Sequence, residues 1–415
     1  MTTACNTDKT KLNRTQEKNG LVLISEPSDA NAVVAVYIQL RSGSRFDPAG
    51  RRGLHALLQR TLRKGTASHS EEQLDEALDG LGASLGAGAD RDFCSVSLQC
   101  TQRHFADALP LLLEVLQAPS FPAAAIEKEK VQMRSDLKER EDQFLSRAFD
   151  LFQENYYGNY PYHYPGGTDA DIAAMRADDV RALYHAIYRP ENLIVSVVGP
   201  VNAKAIEAAF AKLAFAPGSA AKAAALPVFA KPSQEFVKHI KRETVANWLV
   251  MGFDAPSDLE ADEIPMQVMN GIMGGSMNSR LFTEVRDKKG MAYQIGSTYA
   301  RRQGPSFWAL YFGTKGSNLK AATEASLAEI TRIKNTVPAA EELQNTKAYL
   351  KGSFLTGQEH NMDRASMYAN FEAEGRGIDY GDRYLKEIDA VKAEDVQRVA
   401  QKYLNVRVEA AIVPK

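Results

Sequence analysis

Three short matches recur along the chain at a single spacing. Ala177-Asp-Asp-Val180 returns as Ala393-Glu-Asp-Val396, 216 residues on. In both places a helical segment containing tyrosine follows, and then an apolar strand, Leu193–Val198 in one case and Val408–Val413 in the other. Ala30-Asn31 leads into the strand-like run 33–39, and Ala246-Asn247, at the same spacing, leads into 248–253. A two-residue match alone carries nothing. Three features in one order at one offset imply a duplicated domain.

A chain of 415 residues is long enough for two cores. The Ala/Pro-rich stretch 215–233 divides it near the middle and reads as a linker, stiffened where its prolines fall. The expected organisation is a polar tail over 1–18, an N-terminal domain over 19–214, a linker over 215–234 and a C-terminal domain over 235–415. Residues 53–64, 71–82 and 105–116 read as helices, 91–101 as a strand with period-two alternation, and about 124–152 as one long charged helix. Strands come first in each half, helices follow, and a strand closes the unit. The fold class expected is α+β, two tandem homologous domains, each a mostly antiparallel sheet with helices on one face.

Composition narrows the function classes. Hydrophobic residues at 44% and charged residues at 25% fit a globular chain, and the formal charge of −2 offers no electrostatic footprint for nucleic acid or anionic membrane. No apolar run reaches spanning length. The N-terminus lacks an apolar export segment, which suggests the cytoplasm, or the periplasm if such a segment has been removed. Cys94 and Cys100 alternate onto one strand face about 20 Å apart, beyond disulfide reach, and read as small core residues.

Chemistry concentrates in residues 276–299. A short amphipathic helix, begun near Asn278 and stopped by Gly290, carries Arg286 in its last turn. A strand then carries Tyr293. A fixed cation and a phenol seven residues apart across that corner suit a substrate carbonyl, provided that something else supplies the nucleophile. The seven histidines include no metal-binding pair at helical spacing, and there is neither a Cys-x-x-Cys nor a G-x-S-x-G after a strand.

The first helix, Gly53-Leu-His-Ala-Leu-Leu-Gln-Arg-Thr-Leu-Arg-Lys-Gly-Thr66, resembles the zinc-motif helix of the pitrilysin/insulinase family of peptidases. Anchored on Lys64-Gly65-Thr66, the H-x-x-E-H positions of that family fall on Ala56, Gln59 and Arg60, and the third ligand falls on Asp136. His55 stands one residue, or about 100°, out of register. Ser279-Arg-Leu-Phe282, Arg286 and Gly290-Met-Ala-Tyr293 resemble the family's C-terminal signature without a gap, and the likeness runs over about residues 19–414.

A ruined first signature beside an intact second one resembles the zinc-free subunit of the short, two-subunit branch, related to mitochondrial processing peptidase. That resemblance implies no cofactor in this chain and a homologous partner with an intact motif and zinc. It implies Arg286 and Tyr293 as the catalytic pair, peptides or unfolded segments as substrate, and inactivity of the chain alone. Two rival functions stand beside it: an inert structural or peptide-binding subunit, and a peptidase self-sufficient as a homodimer.

Overall fold

The computed structural model describes residues 12–163, 166–215 and 226–415. Residues 1–11, with Cys5 and most of the expected tail, lie outside that range, as do Tyr164 and Pro165 and the centre of the expected linker at 216–225. No helix among the described residues is long and apolar enough to cross a membrane.

Among the described residues, eleven strands form two sheets. The first contains β1 (Asn13–Gln16), β2 (Val22–Pro27), β3 (Val33–Leu40), β4 (Ser84–Ala89), β5 (Cys94–Thr101) and β6 (Leu193–Gly199), in the order β1-β2-β6-β3-β5-β4. The second contains β7 (Phe236–Arg242), β8 (Ala246–Ala255), β9 (Gln294–Ala300), β10 (Ser306–Lys315) and β11 (Val408–Pro414), in the order β7-β11-β8-β10-β9. Leaving β1 aside, the two orders agree position by position. Each sheet has one parallel pair, β2 with β6 and β7 with β11, and is otherwise antiparallel. The recurring Ala-x-Asp-Val segments open the helices Ala177–Ile187 and Ala393–Tyr403, which keep the 216-residue spacing. The duplication seen in the sequence is therefore a duplicated topology.

The chain divides into two compact units, each of which draws on both halves of the sequence. One comprises Met1–Arg134, Pro165–Ala225 and Gly357–Ile378; the other comprises Ser135–Tyr164, Leu226–Thr356 and Asp379–Lys415. In the first unit the helix Asn361–Ala373 packs on β3 and β6, with Ala365 and Ala369 buried against Ala35, Val198 and Ile194. In the second, the helix Phe144–Tyr157 packs on β8 and β11. The second sheet thus has the core of the helix Glu263–Met273 on one face and the helix Phe144–Tyr157 on the other.

Strand β8 shows why both faces must be covered. Leu249, Met251 and Phe253 enter the larger core with the helix Glu263–Met273, while Val250 and Trp248 pack under Phe144–Tyr157. A strand buried on both sides reads as the unbroken apolar run 248–253 rather than an alternating one.

Two local differences from the expected elements follow from burial. The long charged helix is two, Ala123–Asp142 and Phe144–Tyr157, broken where Gln143 is extended at φ −85°, ψ 91°. The second piece must turn to bury Ala148, Leu151 and Phe152, and Arg140 spans the break with two hydrogen bonds to Asp150 at 2.7 and 2.8 Å. In the stretch read as tail, Asn13–Gln16 pairs with β2. The tyrosines of 156–162 cover the sheet: Tyr156 and Tyr157 are buried and donate to the carbonyls of Ser306 and Pro305 at 2.7 and 3.0 Å.

Candidate functional site

Arg286 belongs to a π-helix, Leu281–Asp287, rather than an α-helix. Its wide turn is marked by the Lys288 N–H reaching the Thr283 carbonyl at 3.0 Å, five residues back. Leu281 and Val285 anchor it in the core of the second unit. Before it, the buried Arg280 donates two 2.7 Å hydrogen bonds to Glu342. The turn closes at Gly290, whose φ of +60° suits glycine. The Gly290 N–H reaches the Arg286 carbonyl at 2.9 Å and the Met291 N–H reaches Val285 at 3.0 Å.

The Arg286 side chain is exposed, with its guanidinium carbon 4.5 Å from the Phe282 ring centroid. The nearby Glu284 is taken by Lys288 at 2.8 Å, which holds the Glu284 carboxyl below its ordinary range. Tyr293 stands just ahead of β9, its N–H on the Gly313 carbonyl at 2.9 Å, and is 56% exposed. Ile295, two residues on, faces the core. Among the described residues neither the guanidinium nor the Tyr293 hydroxyl has a hydrogen-bonding or ionic partner. Both are donors left to the surface, able to serve a carbonyl oxygen.

Gly274 fixes the edge strand that follows Tyr293. Its carbonyl accepts from the Ser297 N–H at 3.2 Å, and a Cβ there would stand 2.3 Å from the Ser297 nitrogen. The Gly274-Gly275 pair serves close backbone packing.

Ala56, Gln59 and Arg60 share the helix Leu54–Thr61 of the first unit. Gln59 is 1% exposed and accepts a 3.0 Å hydrogen bond from the Tyr188 hydroxyl, whose phenol burial holds well above its usual range. Arg60 is exposed, 3.9 Å from a Glu129 carboxylate oxygen. Lys64 meets the same carboxylate at 3.1 Å and Glu71 at 2.6 Å; the Glu71 hydrogen bond is the largest cause of its raised pKa, helped by Glu129 against burial. Asp136 lies on Ala123–Asp142, in the part of that helix assigned to the second unit. His55 is wholly engaged. With its proton on Nδ1 it donates to Asp47 at 2.6 Å and accepts from the Ser42 hydroxyl at 2.9 Å.

Residues 21–166 match the sequence profile described as Insulinase (Peptidase family M16), and residues 174–350 match the one described as Peptidase M16 inactive domain. The chain belongs to the insulinase family, M16. It is 26% identical over 388 residues to the uncharacterized zinc protease YmxG of Bacillus subtilis, covering 92% of this chain and 93% of that one. It is 22% identical over 366 residues to the non-peptidase homolog YmxG of Helicobacter pylori, covering 87% and 84%. Among solved structures it resembles a protease from Helicobacter pylori (TM-score 0.89, 22% identity, 97% of this chain and 100% of that one). It also resembles the peptidase M16 inactive domain from Pseudomonas fluorescens (TM-score 0.87, 22% identity, 97% and 98%). These structural likenesses establish the fold.

The insulinase family implies zinc, and Ala56, Gln59 and Arg60, on which the resemblance of the first helix would place its ligands, do not fit the ion. Ala56 has no donor atom, and the Gln59 amide oxygen already accepts from Tyr188. Arg60 is a permanent cation where a dication would bind. Among the described residues no three His, Cys, Asp or Glu side chains stand together as a metal-binding group.

Sequence reasoning missed two features of this region. The stacking of Phe282 on Arg286 was signalled by their i, i+4 spacing. The structural role of His55 was signalled only by an aspartate eight residues earlier.

Proposed function

We propose that this M16 chain is the non-zinc-binding subunit of a heterodimeric metallopeptidase. In this reading it lends Arg286 and Tyr293 to peptide hydrolysis at a site completed by a homologous, zinc-bearing chain. The observation that carries the reading is the pair itself, a guanidinium and a phenol seven residues apart, neither with a hydrogen-bonding or ionic partner among the described residues, in a chain whose own metal positions hold Ala56, Gln59 and Arg60. The match of residues 174–350 to the inactive-domain profile supports it.

The two side chains donate hydrogen bonds to the scissile carbonyl oxygen and strengthen them as negative charge builds there. Arg286 offers the N–H fork of a guanidinium, and Tyr293 offers a phenolic O–H. Neither can activate water, so that task falls to the partner. The substrate is a peptide or an unfolded segment. A purely structural subunit is the second reading, favoured by the relative named a non-peptidase homolog.

The test is to assay this chain, the zinc-bearing chain and their mixture on one peptide substrate. Hydrolysis by the mixture well above the sum of the separate chains is expected. Equal rates for the zinc-bearing chain with and without this one would contradict the proposal.

A further inference from the structure

We propose that Phe282 is a positioning residue for Arg286, holding the guanidinium by its flat face so that its N–H edge stays free for a substrate carbonyl. This rests on the role given to Arg286 above.

The two residues are four apart on the π-helix, and the guanidinium carbon lies 4.5 Å from the ring centroid. Phe282 is half-buried and packed against the core beside Leu281 and Val285, so its ring is a fixed platform. Three nearby carboxylates are engaged with other cations, Glu284 with Lys288 at 2.8 Å, Glu342 with Arg280 at 2.7 Å and Glu329 with Arg332 at 3.1 Å, and among the described residues no carboxylate, the adjacent Asp287 included, pairs with Arg286. The difference matters chemically. A carboxylate would take two of the N–H donors in a forked pair. An aromatic face attracts the cation through its quadrupole and takes none. Stacking therefore orients Arg286 while leaving its donors to the substrate.

The complex with the zinc-bearing chain, assayed on a pool of quenched fluorescent peptides, tests this. Phe282→Leu keeps an apolar side chain in the core and removes the ring. We expect kcat to fall about two- to fivefold with KM unchanged, and Phe282→Tyr to retain the parent rate. In an Arg286→Ala background Phe282→Leu should cost nothing further. In arginine-labelled full chain, the Arg286 Nε–H resonance, assigned by its loss in Arg286→Ala, should carry an upfield ring-current shift that Phe282→Tyr keeps and Phe282→Leu abolishes.

Parent-like kcat in Phe282→Leu beside a slow Arg286→Ala would overturn the positioning role and leave the function of Arg286 standing. An equal loss in both backgrounds would overturn it too, by making Phe282 merely structural. A missing ring-current shift would overturn the stack whatever the rates. A parent rate in Arg286→Ala would instead overturn the role of Arg286, and this inference with it.

Discussion

The Tyr188 hydroxyl donates a 3.0 Å hydrogen bond to Gln59 Oε1, on the buried side of the helix Leu54–Thr61. The amide has become part of the packing of the first unit. Gln59→Glu would put a carboxylate where only 1% of the residue is exposed. We expect it to lower stability by about 2–4 kcal/mol at neutral pH without bringing zinc into the chain. Thermal unfolding and elemental analysis of the purified variant read both effects. Stoichiometric zinc in Gln59→Glu would refute the reading of this helix.

His55 serves structure as well. It bridges Asp47 and Ser42, and Asp47 also accepts from the backbone N–H groups of Gly53 at 2.7 Å and His55 at 3.0 Å. His55→Ala should cost about 2–4 kcal/mol by leaving a buried carboxylate short of a donor and opening a cavity. Denaturant unfolding measures the loss. If peptide hydrolysis by the complex fell at full stability, His55 would have a chemical role instead.

A pH effect is expected from Asp262. Burial alone would raise its carboxyl, but hydrogen bonds from Lys402 at 2.6 Å, Arg398 at 2.5 Å and Tyr403 at 3.0 Å outweigh it, and the pKa lies below the ordinary value. A carboxyl depressed in the folded state stabilises above its unfolded pKa, and that contribution fades as pH falls through the folded value. Asp262→Asn should therefore be less stable than the parent by about 1–2 kcal/mol at pH 7. The gap should close below about pH 3.9, towards the depressed folded pKa. Stability curves for both proteins from pH 7 to pH 2 would show this. A gap that is constant or grows with acid would contradict the assignment.

Gly274 couples packing to the site. An added methyl would meet the Ser297 backbone at 2.3 Å, where nothing flexible can move aside. Gly274→Ala should destabilise the second unit by about 1–3 kcal/mol and, by shifting β9, slow hydrolysis by the complex. Parent-like unfolding in this variant would show that the edge strand is not held as described.

The repeat was legible because the duplicated segments kept their spacing, and Cys94 to Cys100 declared their strand by alternation. What the sequence could not reveal is which sheet an apolar helix face would meet. Phe144–Tyr157 and Asn361–Ala373 each carry a face that would suit either sheet, and only the structure assigns them to β8/β11 and to β3/β6. Arg286 and Tyr293 stood out through their family signature, whereas the π-turn around Arg286 is a one-residue widening that periodicity over seven residues does not resolve. His55 looked like a displaced ligand, since an aspartate eight residues earlier is a weak mark of a partner and nothing marked Ser42.

The central claim is that Arg286 and Tyr293 act on chemistry housed in another chain. The most direct measurement is kcat of the complex on a single peptide with Arg286→Ala and, separately, with Tyr293→Phe. Each change should slow turnover on the order of a hundredfold, the typical cost of losing one preorganised oxyanion donor, with assembly and zinc content unchanged. Parent-like turnover in both variants would contradict it.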